Sequence, residues 1–174
     1  MAYAIQSQDR LMKLAEFYCS KRETSRAYLA KYLRRKCEEQ KLEKSVYEKW
    51  IGPVLDTCEK SKFINDARYA NILIRDYSGR GKGRRYIEQK LKEKGIDRNL
   101  WQFTDEGGSE LDRALKLAQK SLENLKSKVA RKMERKSDPR MNEAFELKQK
   151  LMQKLVTAGF SIDICKKAIT EILK

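Results

Sequence analysis

The chain has 174 residues, of which 40 are Lys or Arg, 25 are Asp or Glu and none is His, giving a formal charge of +15 at pH 7. Without histidine, Ser-His-Asp and Cys-His catalysis and His-ligated metal sites are excluded, and no apolar run approaches the ~20 residues of a membrane span. Charged residues reach 37%, well above the ~25% of an ordinary globular chain, and only eight glycines and two prolines interrupt a sequence rich in helix formers.

The opening segment MAYAIQSQDRLMK has no basic start followed by an apolar stretch, so it does not read as a secretory signal and a cytoplasmic protein is expected. Its apolar residues from Leu11 onward, with Leu14, Ala15 and Tyr18, recur at i, i+3, i+4 and i+7, as one face of an amphipathic helix does. Ser25 suits the N-cap of a second helix, in which YLAKYLRRKC (28–37) pairs Leu29 with Leu33. A third helix is expected through SVYEKW and VLDTCEK, starting near Ser45. Gly52-Pro53 should interrupt it, because an interior proline removes a hydrogen bond and kinks or breaks a helix. Four cysteines, Cys19, Cys37, Cys58 and Cys165, contain no CxxC pair. They read as reduced core thiols rather than as zinc ligands or a redox couple.

The pattern then repeats. YIEQKLKEKG (86–95) and KLMQKLVTAG (150–159) align without gaps on 28–37, each with an aliphatic pair at i and i+4: Ile87 with Leu91, Leu151 with Leu155. Upstream, Arg10 aligns with Arg68, Leu11 with Tyr69, Leu14 with Ile72, Ser25 with Gly83 and Arg26 with Arg84. The second copy's third helix is expected to be short, at 97–104. The third copy opens with a long helix at 110–135, where Leu111, Leu115, Ala118, Leu122, Leu125 and Val129 alternate spacings of four and three, like a coiled-coil seam. It closes with a helix capped by Ser161 and carrying Ile162, Ile169, Ile172 and Leu173. Tyr28 and Tyr86, at equivalent positions, are expected to pack between helices, and Trp50 and Trp101 to lie in the core. No two-residue alternation competes with these helices. The fold class is therefore all-α, an elongated, curved tandem array of three three-helix repeats over 1–62, 63–106 and 107–174. Loops are expected at 37–44, 78–83, 105–109 and 136–142.

The positive charge is spread along the chain, with excesses of +4, +5 and +6 in residues 1–60, 61–105 and 106–174. An evenly basic body suits an evenly acidic partner, and nucleic acid is the obvious one. Three clusters stand out as contact candidates. Arg34 and Arg35, with Lys36, end the second helix of the first copy. Arg80, Lys82, Arg84 and Arg85 surround the SGRGKG loop, with Lys92 beyond them. Lys128, Arg131, Lys132 and Arg135 share one face of the long helix. Arginines at a helix start oppose the helix dipole, so the second cluster, with its backbone N–H groups, suits a bound phosphate or carboxylate. GRGKG matches neither nucleotide-binding glycine pattern, since its three alternating glycines follow a helix rather than a strand. No carboxylate pair, nucleophile with base or metal cluster is present. No enzymatic activity and no cofactor are expected.

FINDARYA (63–70) followed by RGKGRRYIEQKLKEKGI (80–96) closely resembles the central signature of the RecX family. SRAYLAKYLRRK (25–36) is similar to that family's N-terminal helix, and KLMQKLVTAGFSIDICKKAITEIL (150–173) to its closing repeat. The resemblance implies an all-helical, curved regulator of the bacterial recombinase RecA. It would bind in the groove of the RecA–DNA filament and modulate, typically inhibit, ATP hydrolysis and strand exchange in recombination and DNA repair. Some members also bind DNA directly. By position, Arg80, Lys82, Arg84 and Arg85 match the family's basic central motif, and Asp66, Arg68 and Tyr69 the segment before it; Asp66 as a helix cap and Tyr69 as a core residue are the alternative readings. A monomer is expected, with single- or double-stranded DNA as a second partner and no membrane. The competing reading is a stand-alone basic helical DNA-binding module acting by competition for DNA. Two departures concern the first repeat: Cys37-Glu38 stands where the others have Gly95-Ile96 and Gly159-Phe160, and Gly52-Pro53 falls inside a helix.

Overall fold

A computed structural model describes residues 4–103, 108–135 and 143–173. These form α1 (Gln8–Lys21), α2 (Arg26–Glu39), α3 (Lys44–Lys60), α4 (Asp66–Gly79), α5 (Arg84–Glu93), a 3-10 turn (Arg98–Leu100), α6 (Glu110–Arg135), α7 (Glu143–Thr157) and α8 (Ile162–Ile172). No strand occurs among the described residues. The all-α class agrees with the sequence pattern. The loop expected at 136–142 lies outside the described residues, as do 104–107.

The chain divides into two compact units. The first comprises the described residues up to Leu73 together with Lys90–Gln102; the second comprises Ile74–Gln89 and the described residues from Phe103 onward. In the first unit, α1 and α2 both pack along α3. Their core holds Leu11, Ala15, Leu29, Leu33, Tyr47 and Ile51, with Trp50 half-buried against it. In the second, α6 packs on both α7 and α8. Leu147, Leu151, Leu155, Phe160, Cys165 and Ile169 meet the small residues Ala114 and Ala118 of α6. Ser121, also buried on α6, satisfies its hydroxyl by donating to the Leu117 carbonyl at 2.6 Å. Cutting a leucine such as Leu29 or Leu151, both fully buried, to alanine would cost about 2–5 kcal/mol.

Three expectations need correction. Gly52-Pro53 does not break the third helix, because α3 runs through it from Lys44 to Lys60. Pro53 and Lys49, whose carbonyl lacks its usual i+4 donor, both lie on the exposed face where water can serve that oxygen. On the opposite face, burial of Tyr47, Ile51, Val54, Leu55 and Cys58 holds the helix together. The second copy's third helix is reduced to the 3-10 turn, opened by Asp97, whose carboxylate accepts from the Asn99 N–H at 2.8 Å.

The third correction concerns the loop expected at 37–44. There α2 continues to Glu39, an extra turn relative to α5 (14 residues against 10). It then ends as its counterparts do. The Leu42 N–H reaches back to the Cys37 carbonyl at 3.1 Å, as Ile96 does to Leu91 at 3.1 Å and Phe160 to Leu155 at 3.2 Å. In each case the residue before the apolar one is left-handed: Lys41 at φ 57°, Gly95 at 68° and Gly159 at 92°. This is the Schellman ending, with an apolar residue closing the cap. The first repeat therefore keeps the motif of the others, displaced by one helical turn.

Candidate functional site

The central basic segment sits at a helix junction. In the second unit the start of α5 abuts the end of α7: the Gly83 N–H donates to the Ala158 carbonyl at 2.9 Å and the Arg85 N–H to the Gly159 carbonyl at 3.1 Å. Between them, the Arg84 N–H donates to Glu110 Oε1 at 2.8 Å. The donors that a helix start leaves without intrahelical partners are thus used within the fold, and the negative end of α7 faces the positive end of α5. This corrects the expectation of an open anion site at 80–85. The carboxylate suited to that helix start is the protein's own Glu110.

The approach is close enough to exclude side chains. A Cβ on Gly83 would fall 2.4 Å from the Gly159 carbonyl atoms, and one on Gly159 would fall 2.4 Å from the Tyr86 backbone nitrogen. Tyr86 packs there as expected, edge-on to Tyr77 with ring centroids 5.5 Å apart.

The first unit contains the counterpart. The Ser25 hydroxyl donates to the Lys94 carbonyl, the Arg26 N–H donates to Asp66 Oδ1 at 2.8 Å, and the Ala27 methyl lies where a Cβ on Gly95 would clash, 2.5 Å away. Asp66 and Glu110, each the first residue of its helix, thus play the same part. Burial raises the Asp66 carboxyl above its usual range, partly offset by the Arg26 N–H and charge. Tyr28 departs from expectation: it is 40% exposed, with the Lys94 ammonium 4.1 Å from its ring centroid.

The basic candidates separate by what already holds them. Arg84 belongs to the junction: besides its N–H bond, its Nε lies 3.5 Å from Glu110 and its guanidinium 5.2 Å from the Phe103 ring. Arg34 is bound through two nitrogens to Glu48, at 2.8 and 3.1 Å. Arg80 pairs with Asp76 at 3.0 Å and Arg35 with Glu39 at 3.5 Å, exposed contacts worth about 0–1 kcal/mol. Lys82 lies 4.6 Å from the Tyr86 ring centroid. Arg85, Lys92, Lys128 and Arg131 are exposed. Lys132 and Arg135 are on α6, with side chains outside the described residues. Within the second unit the fold gathers Arg80, Lys82, Arg84 and Arg85 around one turn, while Arg34, Arg35 and Lys92 belong to the first.

The candidate list omitted a concavity of about 1080 Å³ on the first unit. Along α1, Phe17 and Lys21 are an i, i+4 pair, and Arg22, the extended residue that ends the helix, lies over the Tyr18 ring; along α2, Tyr28, Tyr32, Arg35 and Lys36 share a face at i, i+4, i+7 and i+8. Tyr18 and Tyr32 stack with centroids 4.1 Å apart, and burial raises the Tyr18 phenol above its usual range. The spacing of these aromatic and basic residues was the available signal.

No described helix is long and apolar enough to cross a membrane, and no cluster of Cys, Asp and Glu able to hold a metal occurs among the described residues.

Residues 65–102 match the family model described as "RecX, second three-helix domain". The chain is 32% identical over 119 residues to the regulatory protein RecX of Streptococcus gordonii, covering 68% of this chain and 41% of that one. A crystal structure of a regulatory protein RecX superposes with a TM-score of 0.69 at 23% identity, covering 94% of this chain and 73% of the other. The crystal structure of RecX from Lactobacillus salivarius superposes with a TM-score of 0.65 at 25% identity, covering 95% of this chain and 96% of the other. The chain spans 36% to 54% of the length of the curated relatives it matches.

Proposed function

The chain belongs to the RecX family, and on that premise we propose that it is a regulator of the RecA recombinase. It seats in the groove of the RecA–DNA filament and inhibits ATP hydrolysis and strand exchange, and so acts in the cytoplasm on recombination and DNA repair. Its activity is binding rather than catalysis.

The observation that supports this most is the central segment. The stretch matched to the family model contains Arg80, Lys82 and Arg85, cations of one unit whose charge the helix junction does not consume. They meet DNA phosphate and acidic recombinase surface together, bridging neighbouring subunits of the filament. Phosphate contacts of this kind release counterions, so the interaction weakens steeply with salt. Arg84 contributes differently, by fixing the helix start that presents its neighbours.

The test is cosedimentation with preassembled RecA–DNA filaments. The wild-type chain pellets saturably with filaments. The variant carrying Arg80→Ala, Lys82→Ala and Arg85→Ala, with Arg84 intact, pellets at least about tenfold more weakly at unchanged helix content. Absence of wild-type cosedimentation overturns the reading; a variant that pellets like wild type removes these residues from the interface.

A further inference from the structure

We infer that the concavity between α1 and α2 is a binding groove for single-stranded DNA, in which Phe17 and Tyr28 stack on bases while the surrounding cations hold the backbone. The inference rests on the reading of the protein as a regulator of a recombinase filament, and it names a DNA site outside the central basic segment.

Charge and shape point the same way. The concavity is lined by Lys21, Arg22, Lys31, Arg34, Arg35 and Lys36, against the single acidic residue Glu38. Arg34 is taken by Glu48, which leaves five cations facing the groove. Of these, Lys21, Arg22 and Lys31 form no ion pair with a described residue. Arg35 and Lys36 share the exposed Glu39 carboxylate, at 3.5 and 2.5 Å.

The aromatics explain why the occupant is an unpaired strand. Phe17 is 63% exposed and Tyr28 40%, unusual positions for large rings on helices that have a core to bury into. Beside them the Tyr18–Tyr32 stack carries Arg22 5.0 Å from one ring centroid and Arg35 5.7 Å from the other. Bases offer flat π-faces to such rings only when unpaired, because a duplex keeps them stacked on one another. Alternating rings and cations are how non-sequence-specific single-strand grooves are built. An acidic peptide would use the cations and leave Phe17 and Tyr28 facing water.

The experiment measures binding of a fluorescently labelled oligothymidylate, and of a duplex of equal length, by anisotropy without recombinase. The wild-type chain prefers the single strand. Phe17→Ala combined with Tyr28→Ala lowers that affinity at least about tenfold, as loss of two stacked bases should, and Phe17→Trp retains it. Phe17→Ala alone, at so exposed a position, guards against a folding failure. Lys21→Ala with Lys31→Ala makes the salt dependence shallower. Binding of the aromatic variant within twofold of wild type overturns the inference, as does equal affinity for duplex or competition by an acidic peptide alone. Filament cosedimentation of the wild-type chain, run in parallel, reports on the regulatory reading separately.

Discussion

The two helix junctions solve the same problem with different atoms. In the second unit, Gly83 lets the backbone of α5 approach the end of α7 directly, and two main-chain N–H groups reach two main-chain carbonyls. In the first unit, Ser25 holds the equivalent position; its hydroxyl reaches the Lys94 carbonyl. An acidic residue then takes the N–H of the following arginine in both places, Asp66 in one and Glu110 in the other. The difference assigns a role to the glycines. Gly95 and Gly159 end helices against which another chain segment packs, by Ala27 and by Tyr86. Lys41 ends α2 with the same left-handed turn but is exposed. Docking, more than the turn itself, demands glycine.

That distinction is broken or sharpened most forcefully at the glycines. Gly159→Ala meets the Tyr86 backbone and should cost about 2–4 kcal/mol in urea unfolding. Gly83→Ala should behave alike, because its Cβ meets the Gly159 carbonyl. Gly95→Ala meets only the Ala27 methyl, so Ala27→Gly should relieve part of its cost in a double-mutant cycle. No side-chain truncation at Tyr86 should rescue Gly159→Ala to the same degree, because the backbone nitrogen remains in place. Full rescue there would refute the backbone-contact account.

Removing the acidic acceptors is the next largest change. Asp66→Ala and Glu110→Ala each leave an arginine N–H without its partner, at about 1–3 kcal/mol where that group is buried. Asp66→Asn keeps an acceptor and isolates the charge. Because burial raises the Asp66 carboxyl, its contribution is fully present below the unfolded value near ~4 and is lost as pH rises through the higher folded value. Wild type should therefore lose stability relative to Asp66→Asn as pH climbs through that window. A constant difference between the two would contradict it.

A smaller, opposite effect is expected at the exposed end. Lys41→Gly relieves a left-handed non-glycine residue and should stabilise the chain by about 0.5–1 kcal/mol, measured as a higher urea midpoint at unchanged slope. The least energetic test is chemical. Burial pushes the Cys37 thiol up to about 11, whereas the Cys58 thiol, hydrogen-bonded to Cys19, lowers the half-exposed Cys19. Iodoacetamide at mildly alkaline pH should label Cys19 well before Cys37, with mass spectrometry giving the order.

Periodicity made the helices legible. The 58-residue offset linking α1 to α4 and α2 to α5 is the spacing of their first residues, and the long helix at 110–135 has those bounds in the structure. What escaped was whatever depends on a distant partner. Pro53 reads as a break until the buried face of α3 is seen to outweigh one missing hydrogen bond. Cys37-Glu38 reads as a lost motif because local alignment does not reveal an added helical turn. Arginines beside glycines at 80–85 suggest an anion site, but Ala158, Gly159 and Glu110 occupy its donors from far along the chain. The groove on α1 and α2 was written in i, i+4 aromatic–basic pairs, which clusters ranked by charge alone passed over.

The measurement that bears most directly on the account is ATP hydrolysis by the cognate recombinase on single-stranded DNA, titrated with the purified chain at near-physiological salt and with DNA in excess. Regulation of the filament predicts inhibition well below the concentration that coats the DNA. Inhibition only near DNA saturation, relieved by added DNA, would contradict it and make competition for the strand the mechanism.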